Sequence, residues 1–173
     1  STGGRNGSYN QFIDNHVIGG YFSICMYGSS GGNAPKGNEF HGNKIERAYY
    51  YGVYSYYGDG LVFHDNTIDN FRYQYNYCFY SYYGSNYDIQ RNSFTAYYGN
   101  FFAYMNYYDW NNTPSIVANN MFMGDNASYA IYGYYMSHVN FYHNSMYGKG
   151  SYLCYWYYMN DMDIRNNIFY YSG

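Results

Sequence analysis

The phrase apolar-x-x-Asn-x-apolar occurs seven times in this chain, and its spacing leaves few folds open. It reads FIDNHV, FHGNKI, FHDNTI, IQRNSF, VANNMF, FYHNSM and IRNNIF. Its asparagines are Asn15, Asn43, Asn66, Asn92, Asn120, Asn144 and Asn167, at steps of 28, 23, 26, 28, 24 and 23 residues. A unit of this length with short apolar runs cannot bury a face alone, so it has to stack on copies of itself. Helical repeats are excluded by the period-2 alternation and by the density of Tyr, Gly and Asn. Leucine-rich repeats share the length, but Leu61 and Leu153 are the only leucines. Each unit reads as short strands separated by turns. The expectation is an all-β parallel solenoid over residues 1–173, one domain of six to seven coils spaced roughly 4.8 Å apart. The seven asparagines would form an internal ladder, because a buried amide must be satisfied and stacked amides bond to the coils above and below.

A second phrase lies between the asparagines. YGVYSYYG (51–58), YCFYSYYG (77–84), YAIYGYYM (129–136) and YLCYWYYM (152–159) align without gaps, with YFSICMYG (21–28) and FAYMNYYD (102–109) as looser copies. In four coils the last Tyr of the phrase precedes the next Asn by nine residues. The two exceptions hold Pro35 and Pro114, the only prolines, and insertions with turn chemistry belong in loops. Alternate residues of a strand share a face. With Val53, Phe79, Ile131 and Cys154 inward, Tyr54, Tyr80, Tyr132 and Tyr155 point outward, and so do Tyr56, Tyr82, Tyr134 and Tyr157. Tyr107 continues the second stripe if coil four keeps register. Tyrosine makes up 33 of the 173 residues, far more than one core can hide. The stripes read as a contact face for a second copy or for sugar rings.

The pattern G-φ-Y-x…φ-x-x-N-x-φ resembles the right-handed parallel β-helix repeat of pectate-lyase-like and NosD-like proteins, over about Phe12 to Phe169. The resemblance implies a right-handed β-helix with the asparagine ladder in a tight inner turn. It is specific for fold and not for activity, because that fold hosts lyases, hydrolases, epimerases and surface proteins. Enzymes of this type need clustered carboxylates, calcium ligands or a basic proton abstractor on an outward strand face.

That chemistry is thin in this chain. The column before each Asn reads Asp14, Gly42, Asp65, Arg91, Asn119, His143, Asn166, and its one adjacent charged pair, Asp65 and Arg91, reads as an exposed ion pair. Asp59, His64 and Asp65 are the best local cluster, and they read as a polar turn more readily than a catalytic one. Asp161 and Asp163 supply too few ligands for calcium. His138 and His143 lack Cys or carboxylate partners for zinc. The expectation is no enzyme, no cofactor and no metal.

Charged residues are 11% of the chain and the net charge is −3, so no basic patch points to nucleic acid. The broken apolar runs do not suggest membrane insertion. Sequons at Asn6, Asn111 and Asn126 and the Tyr, Asn and Gly content suit an extracellular or cell-surface protein. Three cysteines cannot complete an internal disulfide framework. Cys25 and Cys154 take inward parity, whereas Cys78 takes outward parity and is the one candidate for a bond to another chain. Eleven residues before Phe12 and four after Phe169 are too few for substantial caps. The leading expectation is therefore a structural protein whose partner is itself, assembling end to end or side by side into a filament, sheath or surface layer. The runner-up is a carbohydrate-binding or polysaccharide-cleaving module using the tyrosine face.

Overall fold

The computed structural model describes residues 7–30, 33–70, 76–107, 113–124 and 129–173. Coil one consists of β1 (Gln11–Ile13), β2 (His16–Ile18) and β3 (Phe22–Tyr27). Coil two repeats it with β4 (Glu39–His41), β5 (Lys44–Glu46) and β6 (Tyr51–Tyr56). Coil three holds β7 (Val62–His64), β8 (Thr67–Asn70) and β9 (Tyr77–Tyr82). Coil four holds β10 (Asp88–Gln90), β11 (Ser93–Ala96) and β12 (Gly99–Ala103). Coil five holds β13 (Ser115–Ala118), β14 (Met121–Gly124) and β15 (Tyr129–Tyr134), and coil six holds β16 (Ser137–Tyr142), β17 (Ser145–Gly148) and β18 (Tyr152–Tyr157). A seventh coil begins with β19 (Asn160–Arg165) and β20 (Ile168–Tyr171). Both prolines lie between strands.

These strands pair with their counterparts one coil away and never with their neighbours in sequence, which gives three parallel sheets and no helix among the described residues. The architecture is a β-solenoid, and the Asn-centred phrase sets its register. In the first sheet Phe12, Phe40, Phe63, Ile89, Val117, Phe141 and Ile164 lie one above another. In the second sheet Val17, Ile45, Ile68, Phe94, Phe122, Met146 and Phe169 do the same. These two columns meet the inward residues of the third sheet, Val53, Phe79 and Ile131, in one continuous core. Like residues pack on like: the rings of Phe94 and Phe122 lie 4.9 Å apart and nearly parallel.

The asparagine ladder runs unbroken through the corner between the first and second sheets. Asn66 shows its logic. The backbone N–H and side-chain amide of Asn66 donate to Asn92 Oδ1 at 2.8 and 3.1 Å, and its Nδ2 also donates to the Phe40 carbonyl at 3.0 Å in the coil behind. Its own Oδ1 accepts the N–H and Nδ2 of Asn43. The same pattern links Asn15 to Asn43, Asn92 to Asn120, Asn120 to Asn144 and Asn144 to Asn167. Five of the seven, Asn43 to Asn144, are buried. A side chain with two donors and a two-lone-pair acceptor meets this demand; aspartate and leucine do not.

The residue before each ladder asparagine turns the corner. Asp14, Gly42, Asp65, Arg91, Asn119, His143 and Asn166 all have positive φ, between 52° and 65°. The left-handed conformation costs an ordinary residue about 1–2 kcal/mol, and repeating it in every coil is sustained by the amide ladder beside it. At Gly42 a Cβ would approach Asp14 Oδ1 to 2.2 Å.

Candidate functional site

The outer surface of the third sheet is set apart by what it lacks. Its six strands read FSICMY, YGVYSY, YCFYSY, GNFFA, YAIYGY and YLCYWY, without one charged residue. The strands of the other two sheets carry Glu39, His41, Lys44, Glu46, Asp69, Asp88, Asp163 and Arg165.

Pairing puts Tyr54 beside Tyr80 and Tyr132 beside Tyr155, with Phe101 between the two pairs. Their rings stack along the axis, Tyr54 on Tyr80 at 5.4 Å, Phe101 on Tyr80 at 4.5 Å and on Tyr132 at 4.9 Å, and Tyr132 on Tyr155 at 5.1 Å. The next column stacks Tyr27, Tyr56 and Tyr82 at 4.8 and 5.7 Å, and Tyr134 on Tyr157 at 5.6 Å. Each ring therefore presents its faces to its neighbours above and below, and turns an edge and a hydroxyl outward.

Two of the looser copies sit differently from their ungapped alignment. In coil four a register shift between Gly99 and Phe101 shortens β12, so Ala103, not Tyr107, stands opposite Tyr82 and Tyr134. Tyr107 leaves the stripe for the following turn, where its ring packs edge-on against Tyr104 and Tyr135. In coil one the pairing slides by one residue, with Ile24 on Val53 and Cys25 on Tyr54. A slip of one flips every side chain to the other face. Cys25 is accordingly exposed, not inward.

Cys78 is corrected in the opposite sense: it is fully buried and is no candidate for a bond to another chain. Alternation fails at the start of β9, where Cys78 and Phe79 are both buried, because the strand leaves the junction with the second sheet. The Cys78 thiol donates to the Thr95 carbonyl at 3.0 Å, and burial pushes its pKa up. Gly52 and Ala130 hold the equivalent places, and a Cβ at Gly52 would come within 2.8 Å of Ile68 Cγ2. Cys154 packs half-buried against the core, with its thiol pushed up to about 12 by burial.

A third tyrosine column escaped the alternation argument. Tyr57, Tyr83, Tyr104, Tyr135 and Tyr158 follow the sheet, each in the left-handed region at φ 50° to 58°. Their rings form one stack with centroid steps of 4.6, 4.7, 5.2 and 4.5 Å. Stacked aromatic pairs are worth about 0.5–1.5 kcal/mol each, comparable to the cost of an aromatic residue in that conformation. The signal for four of these five was the nine-residue step to the ladder asparagine, which Tyr104 does not share. Burial raises the phenol pKa of Tyr54, Tyr56, Tyr82 and Tyr132, and takes Tyr80 to about 12. Tyr157 also rises to about 12, chiefly through its hydrogen bond with Tyr158.

The suspected polar clusters are dispersed. Asp59 accepts from Asn86 Nδ2 at 2.7 Å, His64 Nε2 lies 3.1 Å from Asp88, and Asp65 is held by Arg91 at 2.8 and 2.9 Å. The Arg91 guanidinium lowers the Asp65 pKa, as expected of an exposed bidentate pair. Asp163 pairs with Arg165 and accepts from the Tyr142 hydroxyl at 2.6 Å, apart from Asp161. His138 does have a carboxylate partner, contrary to the sequence reading: its Nε2 lies 3.4 Å from Asp161, one coil on, and its Nδ1 lies 2.7 Å from Ser137 Oγ. No group of three His, Cys, Asp or Glu side chains among the described residues is placed to hold a metal ion. The three sequon asparagines, Asn6, Asn111 and Asn126, lie outside the described residues.

A pocket of about 340 Å³ opens at the corner after the third sheet, lined by Tyr107, Tyr135, Met136, Ser137, Tyr158, Met159 and Asn160. Compared with protein-family models, curated proteins and solved structures, the chain matches none of them.

Proposed function

We propose that this chain is a structural β-solenoid whose tyrosine face packs against a second copy, building a filament, sheath or surface layer outside the cell. The observation that carries this reading is the six-strand face without a charge, on a rod whose other two faces carry the usual mixture. A solvated sheet face bears charges that keep it single, and a large exposed aromatic face marks a contact site. The ring orientation favours a protein partner over a sugar platform. A pyranose stacks on an open ring face, and here those faces are occupied along each column. Outward edges and hydroxyls suit interdigitation with an identical row, edge to face, with hydrogen bonds at the tips.

Analytical ultracentrifugation and negative-stain electron microscopy test the proposal. The expected result is concentration-dependent assembly that Tyr80→Lys with Tyr132→Lys abolishes, while the charge-altering Arg91→Glu at the corner after the first sheet leaves it intact. A parent chain that stays monodisperse and monomeric as concentration rises would sink the reading.

A second reading keeps the carbohydrate module, and the corner pocket favours it. Its volume falls in the range of small-ligand sites, and the Tyr158 ring that ends the third column is 57% exposed. Calorimetric binding of oligosaccharides that disappears in Tyr135→Ala and survives in Tyr54→Ala would support this reading.

A further inference from the structure

We infer that the tyrosine columns of the third sheet form a relay that moves an oxidising equivalent along the solenoid by proton-coupled hops from phenol to phenol. This function is independent of whether the face also packs against another copy. Two observations carry it. The first is ring contact: Tyr54 leads through Tyr56 at 6.3 Å to Tyr57 at 4.8 Å, and so onto the stack of Tyr83, Tyr104, Tyr135 and Tyr158. The second is the approach of neighbouring hydroxyls to one another, Tyr82 with Tyr83 and Tyr104, Tyr134 with Tyr135, and Tyr157 with Tyr158.

The chemistry balances without a resident cofactor. A one-electron oxidant, a ruthenium(III) polypyridyl in the test below, takes an electron from a phenol and is itself reduced, and the O–H proton passes to solvent water, leaving a neutral phenoxyl. In each later hop the phenoxyl takes an electron and a proton from the next phenol. One O–H bond forms, one breaks, and the radical advances.

Coil four is the bottleneck. Phe101 and Ala103 occupy the first two columns there, and neither has a hydroxyl. The crossings are Tyr104, face to face with Tyr83 and Tyr135, and Tyr129 of coil five, which Tyr77 reaches both directly, hydroxyl toward hydroxyl, and through Tyr98, edge-on to Tyr77 at 5.2 Å and to Tyr129 at 5.5 Å. The chain also supplies an entry point: the exposed Cys25 stands in register with Tyr54.

A thiol-reactive ruthenium polypyridyl on Cys25, in a Cys154→Ala background, is photo-oxidised in dilute solution with a cobalt(III) quencher, and spin-trap adducts are mapped by peptide mass spectrometry. The expected result is adducts at Tyr135 and Tyr158 in the parent chain. In Tyr104→Phe/Tyr129→Phe they are lost, while adducts at Tyr57 and Tyr83 persist. Tyr147→Phe, in the second sheet, leaves the pattern unchanged, and matching circular dichroism shows that the double variant is folded. Adducts confined to coils one to three in the parent would overturn the proposal on their own. Adducts at Tyr135 and Tyr158 that persist in the double variant would do the same.

Discussion

Asn92→Ala is expected to lower the unfolding free energy by about 3–5 kcal/mol. Asn92 is 3% exposed, and it serves three coils at once. Its Oδ1 accepts the backbone N–H and the side-chain amide of Asn66, and its Nδ2 donates to Asn120 Oδ1 and to the Phe63 carbonyl. Truncation leaves the Asn66 backbone N–H buried without an acceptor and removes the side-chain donor from the Phe63 carbonyl and from Asn120 Oδ1, while the Asn66 amide keeps the Phe40 and His64 carbonyls. Each stranded group costs about 1–3 kcal/mol. Asn92→Asp is expected to be no better, because its second oxygen would face the Phe63 and Asn120 oxygens. Asn15→Ala, at the exposed end of the ladder, loses one partner set and costs about 1 kcal/mol. Urea unfolding of the three variants measures the difference, and near-equal losses at Asn15 and Asn92 would show that the ladder is not what holds this corner.

Gly99→Ala is expected to cost about 3 kcal/mol or more and to disorder coil four selectively. Gly99 has φ +139°, a conformation essentially reserved for glycine, and a Cβ there would lie 2.1 Å from the Tyr129 carbonyl oxygen. That oxygen belongs to the neighbouring strand β15, so relief requires parting β12 from β15. The adjacent Asn100 shows why the chain accepts such a site. Its Oδ1 accepts the Phe79 N–H and its Nδ2 donates to the Ala130 carbonyl, filling the ladder positions that the register shift leaves open. Hydrogen exchange should show amides of β12 and β15 losing protection while β4 to β8 keep theirs. A uniform loss, or a variant as stable as the parent, would contradict this account of the shift.

These two sites mark what was legible in the sequence. The coil period, the ladder and the inner columns of the first two sheets rest on a side-chain rule that acts within a few residues, and they follow directly from the seven asparagine phrases. The outward placement of Tyr54, Tyr80, Tyr132 and Tyr155 follows from the same alternation. What alternation cannot supply is where a strand begins relative to its neighbour. Coil one slides by one residue, which exchanges the expected exposure of Cys25, and β12 ends early, which removes Tyr107 from its stripe. Cys78 escaped for a related reason, since parity loses its meaning at a corner where two sheets meet. The left-handed turns at Tyr57, Tyr83, Tyr104, Tyr135 and Tyr158 were hidden because tyrosine is a poor marker for positive φ. Only the nine-residue distance to the next asparagine betrayed four of them, and nothing in the sequence marked Tyr104.

The central claim is that residues some two dozen positions apart lie directly over one another along an unbroken amide ladder. Nuclear Overhauser contacts in a sample labelled with nitrogen-15 at asparagine test it most directly. The account predicts contacts between the side-chain amide of Asn66 and the amides of both Asn43 and Asn92, repeated from Asn92 to Asn120 and from Asn120 to Asn144. Asparagine amides that contact only their sequence neighbours, or close Hα–Hα contacts between consecutive strands in antiparallel pairing, would contradict it.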